Sequence, residues 1–153
     1  MEMKAEIRGV LLHVVLPVCV GACIYILFRK ENLIVFSWIR EVSLLETTLI
    51  LRNLVAGWKE QIPSLVLYSL PDGIWVYSAT YLMLVIWKNN WKRITALFWI
   101  LTPVVLGIGS ELLQSVKIIN GFFCYYDMVF YMIGFILPLI MFRRNYENQE
   151  IIV

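Results

Sequence analysis

The residues of this chain that could do chemistry are polar side chains set into apolar surroundings. Asp72 follows Pro71, Glu111 and Gln114 close one long apolar run, and Asp127 opens the next. Glu111 and Gln114 are spaced i,i+3, so a helix presents them on one face. An Asp at the centre of a bilayer costs ~2.5–3.5 kcal/mol on insertion scales, and less near the interface. Glu111 therefore reads either as a substrate contact or as a member of a structural hydrogen-bond network. Pro71 and Asp72 suit the first turn of a helix, where proline is preorganised and a carboxylate meets the positive end of the helix dipole. Asp127 can serve the next helix in the same way, so both also have a purely structural reading. Glu111 and Asp127 are the one pair that could work as general acid and base. No nucleophile, phosphate loop or metal set accompanies them. Cys19 and Cys23 are i,i+4 neighbours, while Cys124 is distant and His13 is the lone histidine. Their spacing makes no metal site, and the cysteines read as small buried hydrophobes.

The elements that must position these groups are long apolar runs. Of the 153 residues 61% are hydrophobic and 16% charged, and the mean hydropathy is +0.78. A soluble domain carries about 25% charged residues. The net charge of +2 is too small to imply nucleic acid, and the basic residues cluster at the ends of apolar runs. The first run, Gly9 to Phe28, is bounded by Arg8 and by Arg29-Lys30. At ~1.5 Å per residue it spans about 30 Å, one hydrocarbon thickness. The second runs from Leu65 to Trp87 and is interrupted near its start by Pro71-Asp72-Gly73. The third is Ile94 to about Leu113, and the fourth, about Tyr125 to Phe142, stops at Arg143-Arg144. These observations predict an all-α polytopic membrane protein of one domain, residues 1–153, with four transmembrane helices at about 9–28, 65–87, 94–113 and 125–142. The first run reads as an anchor because no small-residue cleavage site follows it. Val20-Gly21-Ala22-Cys23 looks like a lipoprotein cleavage box, but the apolar run continues through Ile24–Phe28 beyond the cysteine.

Residues 31–62, between the first two runs, are too polar to span: Arg40, Glu41, Glu46, Arg52, Lys59 and Glu60 interrupt them. Leu44, Leu45, Leu51, Leu54, Val55 and Trp58 nevertheless recur at helical spacings. This predicts one or two amphipathic helices in the membrane interface, anchored by Trp38 and Trp58. With four spans both termini share a side. Lys4, Arg8, Lys88, Lys92, Arg93, Arg143 and Arg144 fall on that side; Arg29, Lys30, Arg40, Arg52, Lys59 and Lys117 fall on the other. The tallies nearly balance. The short loop from Lys88 to Arg93 is the densest basic stretch, which places the termini in the cytoplasm. Asp72, Glu111, Gln114 and Asp127 then all lie at helix ends on the opposite, outer side. The turn from Ser115 to Cys124 should bring Glu111 and Asp127 close together. The tail from Asn145 to Val153 carries no targeting signal.

The stretch Gly109-Ser110-Glu111-Leu112-Leu113-Gln114, followed by Gly121-Phe122-Phe123 and then Asp127, Tyr131 and Gly134, resembles the C-terminal half of the VanZ-like membrane proteins. Ser69-Leu70-Pro71-Asp72-Gly73-Ile74-Trp75 looks like the family's Pro-Asp stretch opening its second helix. Together these cover roughly the last 85 residues, and the first helix matches only in hydropathy. Where many relatives have a histidine shortly after the Pro-Asp stretch, this chain has Trp75-Val76-Tyr77. The family's founding member is linked to low-level teicoplanin resistance, and no biochemical activity is established for the family. The resemblance implies a cell-envelope role in the bacterial inner membrane. Glu111, Gln114, Asp127, Asp72 and Tyr131 would form an outer pocket for a membrane lipid, a lipid-linked envelope precursor or a glycopeptide. No cofactor, metal or nucleic acid enters this reading. Three alternatives stay open: a membrane enzyme using Glu111 and Asp127, a small transporter, and a subunit that associates with itself or a larger membrane partner.

Overall fold

The computed structural model describes residues 2–29, 34–90 and 93–150. Of the residues named above, Lys30, Glu31, Lys92 and residues 151–153 lie outside these, as do the side chains of Lys4, Arg144 and the rest of the tail. Among the described residues every regular element is helical. Helix α1 (Glu2–Val10) continues through a π-helical turn (Leu11–Val15) into α2 (Leu16–Phe28). The wide turn has a covalent cause. Pro17 has no N–H to donate to the carbonyl of His13, and its ring crowds that carbonyl. The chain widens by one residue, and the Leu16 N–H reaches back to the Leu11 carbonyl.

Two short helices follow, α3 (Ile34–Glu41) and α4 (Leu45–Val55), then a 3-10 turn (Ala56–Trp58). Arg52 ties α4 to the end of α2 by donating to the Ile26 carbonyl at 2.7 Å. That carbonyl is one of the last four of a helix and has no partner within it. The Arg52 guanidinium also lies 5.2 Å from the Phe36 ring centre, and Phe36 is 1% exposed. Thr48 is also buried, whereas Trp38, Ile50, Leu54 and Trp58 are exposed.

The second apolar run is not one helix. It is divided at Ser69 into α5 (Ser64–Tyr68) and α6 (Leu70–Ile86). Pro71 starts a new helix in its first turn and donates no N–H back across the junction, so α5 ends beside it. Helices α7 (Ile94–Ser115) and α8 (Tyr125–Glu150) complete the chain, and α8 runs past the end of its apolar run into the tail. Among the described residues three helical stretches are long and apolar enough to cross a membrane: Glu6–Phe28, Ile94–Ser115 and Tyr125–Arg143. Helix α6 has 17 residues and is shorter than these.

Helix α6 is the hub, packing against α8, α2, α7 and the π turn. Val76, Thr80 and Leu84 on it are at most 1% exposed. Val76 meets Val104 and Tyr131, and Leu84 meets Ala96 and Ile100. The closest crossing joins α6 to α8. A Cβ on Gly73 would sit 2.9 Å from the Phe130 carbonyl oxygen, and a Cβ on Gly134 would collide with the Gly73 carbonyl. Two backbones touch here because neither residue has a side chain, the usual device for close packing of membrane helices. The outer surface is apolar: Leu16, Phe98, Val105, Leu106, Ile136 and Ile140 all point away from the bundle. Cys19 and Cys23 share that outward face and are exposed, not buried as their residue type predicted. The face of α2 that meets α6 is the one carrying Gly21.

Candidate functional site

The contacts fix the direction of the helices. Glu6 of α1 pairs with Lys88, just past the end of α6. Arg29, just past the end of α2, lies 3.6 Å from Asp72 in the first turn of α6. The first helix and α6 are therefore antiparallel, and Asp72 and Arg29 share one end. Glu111 is at the same end, because its carboxylate accepts the backbone N–H of Cys124 at 2.9 Å, one residue before α8 begins.

Asp72, Glu111 and Asp127 come within electrostatic reach of one another there, and the Tyr131 side chain lies within reach of all three. Each carboxylate has a different local anchor. Asp72 faces Arg29, and its side chain keeps 33% of its exposure. Glu111 is 3% exposed and holds the interhelical turn through Cys124. Asp127 is half-buried; its backbone N–H donates to the Cys124 carbonyl, but its Oδ1 is enclosed with no hydrogen-bond partner among the described residues. A carboxylate oxygen removed from water without a donor is costly.

Tyr131 is 7% exposed, and Ser110, one turn before Gln114 on α7, donates its hydroxyl to the Gly107 carbonyl at 2.7 Å. The Tyr131 ring lies flat on Gly107, where a Cβ would come within 3.0 Å. Gln114 behaves differently. Its side chain rests against Gly121, which has φ +154° at the tip of the turn. Gln114 thus shapes the turn beside the cluster and does not join the carboxylates.

Arg29 is the participant that sequence reasoning missed. Its guanidinium donates to the Tyr68 carbonyl at 2.7 Å and sits between two rings, 5.2 Å from the centre of Tyr25 and 5.0 Å from that of Tyr68. A signal was present: Arg29 terminates the first apolar run on the side where Asp72 opens the second. Next to this pair an apolar groove of about 300 Å³ runs between α2 and α6, with Asp72 at its edge. A second recess of about 430 Å³ lies between the start of α5 and the Cys124–Tyr126 stretch.

A separate polar contact lies midway along the first helix. His13 Nδ1 is 2.7 Å from the Tyr77 hydroxyl, which donates to the Met141 sulfur at 3.5 Å, and the Tyr81 ring lies 4.6 Å from the imidazole. Among the described residues no group of three His, Cys, Asp or Glu side chains lies close enough to hold a metal ion. No family model matches this chain, and no curated protein or solved structure matches it.

Proposed function

We propose that this chain is a VanZ-like envelope protein of the bacterial inner membrane. On this reading it crosses the membrane four times with its termini in the cytoplasm. At an outward-facing polar pocket it binds or modulates a lipid, a lipid-linked wall precursor or a glycopeptide. The observation that carries the reading is the gathering of Asp72, Glu111 and Asp127 beside Arg29 at one end of the bundle, next to an open apolar groove. Among the described residues three carboxylates stand near one guanidinium at this end, and carboxylate charge in a poorly solvated place is costly unless something meets it.

Helix α6 supports a fourth span by its company. It runs antiparallel to the 23-residue stretch Glu6–Phe28, tied to it by ion pairs near both ends. The outward Trp38, Ile50, Leu54 and Trp58 support an interfacial seat for α3, α4 and the 3-10 turn. Binding is favoured over catalysis by Glu111. An acid–base pair needs both groups within reach of substrate, whereas Glu111 is 3% exposed and bonded to the turn.

Native mass spectrometry in mild detergent tests the reading, with the wild type beside Asp72→Asn and Asp127→Asn. A defined lipid or envelope precursor on the wild type, lost from the variants, is the expected result. Only bulk phospholipid on all three proteins would remove the pocket and leave a structural or partner-subunit role.

A further inference from the structure

We infer that the groove between α2 and α6 seats one chain of an amino-phospholipid, with the lipid phosphate on Arg29 and its primary ammonium on Asp72. This rests on the reading of the outer cluster as a ligand site and names the class of that ligand.

The groove has the shape and lining for an acyl chain. Val18, Gly21 and Ala22 form one wall, Ile74 and Trp75 the other, and Asp72 is the charged residue at its edge. Its volume of about 300 Å³ is at the lower end of ligand pockets, roughly 300–1,000 Å³. Val18, Ala22 and Trp75 are exposed, so the slot opens sideways, away from the bundle. An occupant in a membrane would enter laterally, chain first or headgroup first, without crossing the protein.

The polar end selects the headgroup. Arg29 and Asp72 stand 3.6 Å apart, too far for a good hydrogen bond, and both keep part of their surface, 23% and 33%. The Arg29 Nε is enclosed with no hydrogen-bond partner among the described residues, so a ligand can reach this guanidinium only at its terminal nitrogens. A guanidinium carries five donors in a planar fork suited to phosphate oxygens, so this one has capacity left after serving Tyr68. Glu111 and Asp127 add negative charge near Asp72. Among the described residues the carboxylates here outnumber the guanidinium, so a purely anionic headgroup would be met unfavourably, and a purely cationic one would leave Arg29 unused. A phosphate followed by an ammonium matches both signs in order. A primary ammonium also brings three N–H donors for carboxylate oxygens, which a quaternary ammonium lacks. The ring faces of Tyr25 and Tyr68, which could otherwise cage a quaternary ammonium, are taken by Arg29.

The test reconstitutes the full chain in nanodiscs of phosphatidylglycerol doped with equal amounts of phosphatidylethanolamine and phosphatidylcholine. Retained lipid is read by native mass spectrometry after release. The wild type should retain phosphatidylethanolamine about tenfold over either competitor, the ratio that one charge-assisted contact supplies. Ala22→Trp, which fills the slot from its exposed side, and Asp72→Asn should each abolish that preference. Retention of phosphatidylcholine or phosphatidylglycerol at equal ratio by the wild type would overturn the headgroup assignment, and this readout needs no variant to fold. A preference that survives Ala22→Trp would overturn the groove as the seat of the chain. If the wild type selects another envelope lipid that Asp72→Asn releases, the amino-phospholipid is wrong and the ligand site stands. If no lipid is selected at all, the amino-phospholipid is wrong, and the ligand-site reading then stands or falls on precursor retention in the first experiment.

Discussion

The two ends of α6 are built alike and loaded differently. Each carries an ion pair to the first helix: Lys88 with Glu6 at one end, Asp72 with Arg29 at the other. Their exposures are similar, 35% and 40% against 33% and 23%. At the Lys88 end the pair of Lys88 and Glu6 is flanked in the sequence by further basic residues. At the Asp72 end two more carboxylates stand behind the pair, one of them with an oxygen enclosed and without a hydrogen-bond partner among the described residues. An ion pair at the rim is a local fastening worth little. A pair with further carboxylates behind it carries more charge than its partner balances among the described residues, and on the proposed reading that is the end that takes a ligand. The difference lies in the neighbours, not in the pair.

That contrast can be broken at several strengths. The largest effect is expected at the crossing that brings α8, and with it Asp127, to the acidic end. Gly134→Val forces a side chain into the Gly73 carbonyl and should cost about 3 kcal/mol or more. It should appear as loss of the monodisperse species in size-exclusion chromatography. Next comes Glu111→Ala, which leaves the Cys124 N–H without its acceptor and should cost ~1–3 kcal/mol by thermal unfolding in detergent. Glu111→Gln keeps an acceptor oxygen and should recover most of that loss. If Gln does not recover it, the charge and not the bond holds the turn. Smaller again is Tyr77→Phe, which removes the hydroxyl shared with His13 and Met141. Interhelical hydrogen bonds of this kind are worth about 0.6–1.7 kcal/mol, and the same melt should register that range. The smallest effect belongs to the Lys88 end. Glu6→Gln should change stability by less than about 1 kcal/mol, with the difference vanishing as salt is raised. A large loss there would erase the distinction between the two ends.

Much of the local structure was legible in the sequence. Ile94 and Tyr125 begin α7 and α8 where the apolar runs begin, and Phe28 ends α2 at the basic stop. The split at Ser69 was half visible, since Pro71 marked an interruption without placing it. The grouping of the carboxylates followed from counting spans, because helices that alternate in direction return Asp72, Glu111 and Asp127 to one end. The roles within the group were not legible. Glu111 and Asp127 look equivalent in the sequence, yet one is bonded to a backbone N–H and the other holds an enclosed free oxygen. Gln114 shares a face with Glu111 and still turns to Gly121, because the chain reverses there with a backbone conformation that favours glycine.

What the sequence determined by itself is therefore the helices and their polarity. In an apolar medium the backbone must satisfy its own hydrogen bonds, so a long apolar run becomes helical and breaks only where a proline such as Pro71 withholds its N–H. What only the tertiary structure decided is which side chains meet. Arg29 reaches Tyr68 and Asp72, and His13 reaches Tyr77, across 39 to 64 residues of chain. Such meetings depend on how each helix is rotated about its axis. That rotation is set by a few close contacts, Gly73 on Phe130 and Gly107 on Tyr131 among them. Hydropathy is nearly uniform around these helices and carries no record of it; steric fit between distant residues does.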